Sequence, residues 1–216
     1  MMTPLAARVH GATVGSDLVF LDVARDAYVC LAGAAEAGRL CDGGAQIEIA
    51  DRALHDTLEQ AGLIGEIAIA RHMAPLAARE LGRLRAPVAP TDVLGGLTMT
   101  WASAAARRYQ APFADLIGWA QHRPWGPHDP MAEPCDRAIA VVTRFQRRWP
   151  WAVGRGLCLH RAFLLLTLLR QARCDAAWVF GVRTYPFEAH CWLQIGATVL
   201  DDPLTRLTAY TPLMTA

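Results

Sequence analysis

A chain of 216 residues that is 53% apolar and only 19% charged can bury one sizeable core or two small ones, and it has no composition for a disordered tail. A net charge of +1 supplies neither the basic surface that nucleic acid demands nor an acidic surface for cations, although its 21 basic residues are all arginine. No apolar run approaches the ~20 residues needed to cross a bilayer, so neither nucleic acid nor membrane is an expected partner. The N-terminus lacks a charged region followed by an apolar core and a cleavage site, which predicts a cytoplasmic chain. Its six scattered cysteines are expected to stay reduced.

Residues 1–75 read as a small α+β unit. Asp17 to Asp22 and Ala27 to Val29 are β-rich runs separated by the turn signal Arg25-Asp26, which predicts a hairpin. Alanine-rich sequence through Ala37 predicts a helix ended by Gly38, and Gly43-Gly44 marks a loop. Asp51 is placed to cap a helix whose apolar positions Ala53, Leu54, Leu58 and Ala61 recur at helical spacing, with Gly62 as its stop. A hairpin with helices in this length is winged-helix-like. The first part of the following segment is compatible with a helix, and residues 76–95, containing Ala86-Pro87-Val88-Ala89-Pro90, read as a linker.

Residues 96–216 read as a second domain. Helices are predicted over 96–109, 112–121 and 135–148, the last two separated by a proline-rich loop at 123–130. A further helix at 158–171 is apolar nearly all round, which is the pattern of a central, buried element. Strands follow at 176–182, 189–195 and 197–201, with Gly196 in the last turn. The predicted fold class is therefore α+β: a winged-helix-like N-terminal domain and a domain with a central helix packed on an antiparallel sheet.

The chemistry concentrates in that second domain. Cys158 follows the glycine-rich run Gly154-Arg155-Gly156 and sits at a predicted helix start, where free backbone N–H groups favour a thiolate and can hold an oxyanion. His190 lies on a strand that places it with Trp192 and Gln194 on one face and Cys191 on the other. Asp201 and Asp202 close the next run and point to opposite faces, so only one can orient the imidazole. A cysteine at a helix start, followed by a histidine and an acid on successive strands, is how papain-like and transglutaminase-like folds assemble acyl-transfer chemistry. Taken alone, each of the three is also compatible with a structural role. The spacings of Cys158, His160, Cys174, His190 and Cys191 match no compact ligand pattern, and no metal is expected. Trp149 and Trp151, bracketing Pro150, and Trp192 beside the histidine are candidate walls of a substrate cleft. Leu21 and Tyr28 on the first hairpin are candidate contacts for an extended peptide added as a strand.

From Gly156 to Asp202 the chain resembles the leader peptidases of lasso-peptide biosynthesis, the transglutaminase-like B protein family. The matching residues are Cys158-Leu159-x-Arg161, Leu168-Leu169, Gly181-Val182, Pro186-Phe187, Ala189-His190-x-Trp192, Gly196 and Asp202. Leu18 to Asp22 and Tyr28 are similar to the PqqD family of peptide-recognition domains. Ala162, Cys191 and Gln194 depart from the pattern without touching the three key residues. The resemblance implies a fused chain with Cys158 as nucleophile, His190 as base and Asp202, in preference to Asp201, as the orienting acid. It implies a lasso precursor as substrate, its leader held by the N-terminal domain, and an asparagine-synthetase-like cyclase as partner. It implies no cofactor for cleavage, with ATP entering only in the coupled reaction. The residues alone leave open a transglutaminase-like acyl transferase and a non-catalytic peptide-binding protein.

Overall fold

The computed structural model describes residues 1–67, 69, 71–82, 111–122, 129, 131–151 and 158–216. The expected linker core at 86–90, the helix at 96–109, the proline loop at 123–128 and the glycine turn at 154–157 lie outside these residues. The chain divides into two compact units. One comprises residues 1–73 with 180–189 and 209–215, and the other comprises 74–179 and 190–208 with Ala216.

The first unit is built mainly from strands. β1 (Met2–Pro4), β6 (Gln46–Ile49) and β5 (Gly38–Cys41) pair antiparallel in that order, as do β2 (Val9–Val14), β3 (Asp17–Asp22) and β4 (Ala27–Leu31). The predicted hairpin is the β3–β4 pair. Its central strand is buried throughout, with Leu18, Phe20, Ile47, Leu54 and Leu58 meeting in one apolar cluster. The helix expected through Ala37 does not form. A single 3-10 turn, Ala34–Glu36, stands there, because the strand β4 runs on to Leu31 and β5 begins at Gly38. Alanine has high helix propensity, but a segment this short between two paired strands cannot repay helix nucleation. Gly44 is fixed by sterics: its φ is +79° and a Cβ there would lie 2.2 Å from the Gly11 carbonyl oxygen.

Helix α1 (Arg52–Gln60) forms as the sequence predicts. The Asp51 carboxylate accepts from the Ala53 N–H at 3.1 Å, and Leu54 and Leu58 are its buried side. Its C-terminal end is met by cations: Arg8 and Arg25 donate to the carbonyls of Gly62 and Ala61 while both pair with buried Asp22. With one α-helix among the described residues of this unit, the winged-helix arrangement expected here is not shown.

The second unit contains α2 (Phe113–Gln121), α3 (Asp136–Arg148), α4 (Cys158–Gln171) and the short α5 (Leu204–Leu207). α4 buries Ala162, Leu165, Leu166 and Leu169, as its uninterrupted apolar sequence requires. A five-stranded sheet, whose β11 and parts of β8 and β9 are residues of the first unit, runs in the order β11 (Thr211–Thr215), β8 (Ala177–Arg183), β9 (Glu188–Ile195), β10 (Thr198–Val199), β7 (Arg79–Glu80). The sheet is not wholly antiparallel: β9 and β10 form a hairpin across Gly196, whereas β10 and β7 pair parallel. β7 lies where the sequence predicts a linker. Residues 71–78 form no helix, and Ala78, Arg79 and Leu81 instead donate backbone N–H groups to Ala197 and Val199. Among the described residues no helix is long and apolar enough to cross a membrane.

Candidate active site

Helix α4 opens at Cys158, so the thiol stands in the first turn, where backbone N–H groups lack intrahelical partners. The helix cannot shift easily. Its buried stripe is reinforced by Arg170, which reaches across to the α2 carbonyls of Trp119 and Ala120 and stacks 4.3 Å over the Trp119 ring. Strand β9 carries His190, which is only 5% exposed. The loop after β10 carries the two aspartates, and Gln146 of α3 anchors it by donating to the Leu200 carbonyl at 3.0 Å.

The aspartates separate as strand parity demands. Asp202 Oδ2 lies 3.1 Å from His190 Nε2, inside a buried environment. Asp201 turns the other way and accepts the Leu193 N–H at 3.0 Å, tying the loop to β9. Burial raises Asp201 to about 6 against the pull of the Arg161 charge. The second oxygen of Asp202 faces Arg161 at 3.7 Å and Arg206 at 3.9 Å, so its negative charge is surrounded by three cationic groups.

With Nε2 engaged by Asp202, Nδ1 is the ring nitrogen left to meet the thiol. Cys158 and His190 do hydrogen-bond, and their titrations move apart. The Cys158 pKa is drawn down to about 4, first by a hydrogen bond from the Cys191 thiol, then, against the opposing effect of burial, by His190 and the Cys191 backbone N–H. For His190, burial alone favours the neutral ring, but the hydrogen bonds and charges of Asp202 and Cys158 overturn it and hold the pKa at about 9. At neutral pH the pair is thus thiolate and imidazolium, the state a cysteine nucleophile needs.

Sequence reasoning missed two contributors. Strand alternation alone puts Cys191 on the face away from His190, yet its thiol and its N–H both serve the Cys158 sulfur. Burial and the adjacent Cys158 sulfur keep Cys191 protonated, well above its ordinary value, so it acts as a donor. Its adjacency to the histidine was the available signal. Arg161, one turn along α4 from Cys158, was visible only as part of a family pattern.

The expected substrate contacts fare differently. Trp192 is 2% exposed, its indole N–H donates to Gln194 Oε1 at 2.9 Å, and its ring stacks on His190. Leu21 is fully buried in β3. Both are packing residues here and offer no surface to a peptide, because the strands that carry them are covered on both faces. Tyr28 is half-buried on the edge strand β4, its ring edge-on to Phe187 at 5.6 Å within the first unit. Trp151 lies in the 3-10 turn Trp149–Trp151, and its side chain is outside the described residues. The described His/Cys/Asp/Glu residues hold one candidate cluster for a metal, His55, Asp56 and Glu59, which is largely exposed and remote in sequence from Cys158.

The family model of the transglutaminase-like superfamily matches residues 97–215, which include Cys158, His190 and both aspartates. Among curated proteins, the microcin J25-processing protein McjB of Escherichia coli is 40% identical over 45 residues. That match covers 21% of this chain and 22% of McjB, so it spans about a fifth of either protein. No solved structure matches the chain.

Proposed function

Starting from the chain's membership of the transglutaminase-like superfamily, we propose that it is a cysteine peptidase that removes the leader from a ribosomally made lasso-peptide precursor. The observation that carries this reading is the Cys158–His190–Asp202 arrangement, with a thiolate at the start of a helix and a buried carboxylate on the far nitrogen of the imidazolium. The short likeness to a microcin-processing protein supports a peptide precursor as substrate.

In this reading the Cys158 thiolate attacks the scissile carbonyl carbon, and the oxyanion is met by N–H groups at the start of α4. His190 donates its Nδ1 proton to the departing amine as the C–N bond breaks. The leader remains as a thioester on Cys158 until water, deprotonated by His190, attacks it and restores the thiol. Asp202 keeps the imidazole in the orientation both steps require and stabilises its positive charge. The amine released on the core peptide is then available to an asparagine-synthetase-like cyclase for macrolactam formation. The first unit holds the leader, with the β4 edge around Tyr28 as the proposed docking strand. On this reading residues 1–75 act as the recognition domain, 76–95 as the connection and 96–216 as the peptidase.

Mass spectrometry of a cognate precursor, incubated with wild-type protein and with Cys158→Ala or His190→Ala, tests the proposal. Wild type should release the leader, with ATP and the cyclase supplied, while the variants should lose at least about 10³-fold in rate and still bind the leader. Uncut precursor in the wild-type sample would refute the peptidase reading. A leader joined to an added amine would instead identify an acyl transferase.

A further inference from the structure

Apart from Cys158 and Cys191, two other thiols of the second unit face each other. Cys135 occupies the N-cap of α3, and Cys174 follows the turn that ends α4. Their sulfur atoms are 3.8 Å apart although the residues are 39 positions apart in the chain. A disulfide needs an S–S distance of about 2.05 Å, so closure requires a shift of under roughly 2 Å. The two segments are already bridged by a side chain: Arg137, two residues past Cys135, donates to the carbonyl of Ala172, two residues before Cys174, at 3.3 Å.

The two thiols are chemically unequal. Cys135 is exposed, and the backbone at the start of α3, Ala138 foremost, lowers its pKa. Cys174 is only 7% exposed, and burial followed by the Cys135 sulfur raises its pKa. An accessible sulfur with thiolate character beside a sheltered thiol matches the attacking and resolving roles of thiol–disulfide exchange.

We propose that Cys135 and Cys174 form a reversible modification site, a dithiol that closes to a disulfide on meeting a low-molecular-weight disulfide. The Cys135 thiolate attacks one sulfur of the oxidant, breaks its S–S bond and expels one thiolate. That thiolate takes the Cys174 proton, and the Cys174 sulfur then attacks Cys135 and displaces the second small group as a thiolate, which recovers from solvent the proton that Cys135 released on ionising. The protein gives up two electrons and two protons, and the external disulfide becomes two thiols. The product staples the start of α3 to the end of α4, the helix whose opposite end carries Cys158. None of this depends on the peptidase reading.

The test treats the full chain with oxidised glutathione and maps peptides by mass spectrometry without reduction. The expected product is a Cys135–Cys174 cross-linked peptide, lighter by two hydrogens, and a melting temperature higher by about 5 °C or more that returns on reduction. Cys135→Ser should remove both effects while folding normally, since the position is exposed and serine suits an N-cap. A stable glutathione adduct on Cys135 in the wild type, or both cysteines left free, would overturn the proposal.

Discussion

Cys158 is drawn toward the thiolate by two partners with separable effects. Cys191 lowers its pKa through hydrogen bonds alone, whereas His190 adds a positive charge and a transferable proton. The thiolate–imidazolium pair exists above about pH 4, where Cys158 deprotonates, and below about pH 9, where His190 loses its proton. Peptidase activity should therefore fall on both sides of that window. Alkylation of Cys158 by iodoacetamide should rise with a midpoint near 4 in the wild type and at higher pH in His190→Ala, because the variant removes a donor and a charge. An unchanged midpoint would separate the histidine from the thiol. For the acids, Asp202→Asn should lower kcat by roughly 10²–10⁴, because the amide cannot stabilise the imidazolium. Asp201→Asn should lower it far less, since an amide oxygen can still accept the Leu193 N–H. Equal losses measured by steady-state kinetics would contradict the assignment.

Elements differ in what they contribute to this site. α4 is legible in the sequence from Cys158 to Gln171 because its apolar run has no glycine or proline to interrupt it. Leu166 is fully buried in its middle, so Leu166→Ala should cost about 2–5 kcal/mol, read as a lower midpoint in chemical denaturation. Asp51→Ala, which removes the cap of α1, should cost about 1 kcal/mol and leave the reactivity of Cys158 unchanged. β7 shows the opposite case. Arg79 and Glu80 have no strand signature of their own, and they pair because Thr198 and Val199 offer free backbone partners. A two-residue strand chosen by its neighbour leaves no periodicity to read.

At the scale of the whole molecule, the segments that pack together are not those that adjoin in sequence. Residues 180–189, the β8–β9 turn with its flanking strand ends, and residues 209–215 group with residues 1–73, and Phe187 of that turn meets Tyr28. If the β4 edge docks the leader, Tyr28→Ala should weaken leader binding and raise KM with little change in kcat, since the residue has no part in the proposed acyl-transfer steps. A fall in kcat at unchanged KM, measured with the intact precursor, would exclude that role. The sequence by itself determined the hairpin of β3 and β4, the capped helix α1, the buried helix α4 and the set of residues Cys158, His190 and the aspartate pair. Each is written in local signals: alternation, a capping carboxylate, an uninterrupted apolar run, chemical residue type. The family resemblance already favours Asp202 over Asp201; tertiary structure alone decided that Asp201 holds β9, that Cys191 donates to Cys158, and that Trp192 and Leu21 are core. Those outcomes depend on which strands are covered and which groups meet across long stretches of chain, and local propensity carries no record of such meetings.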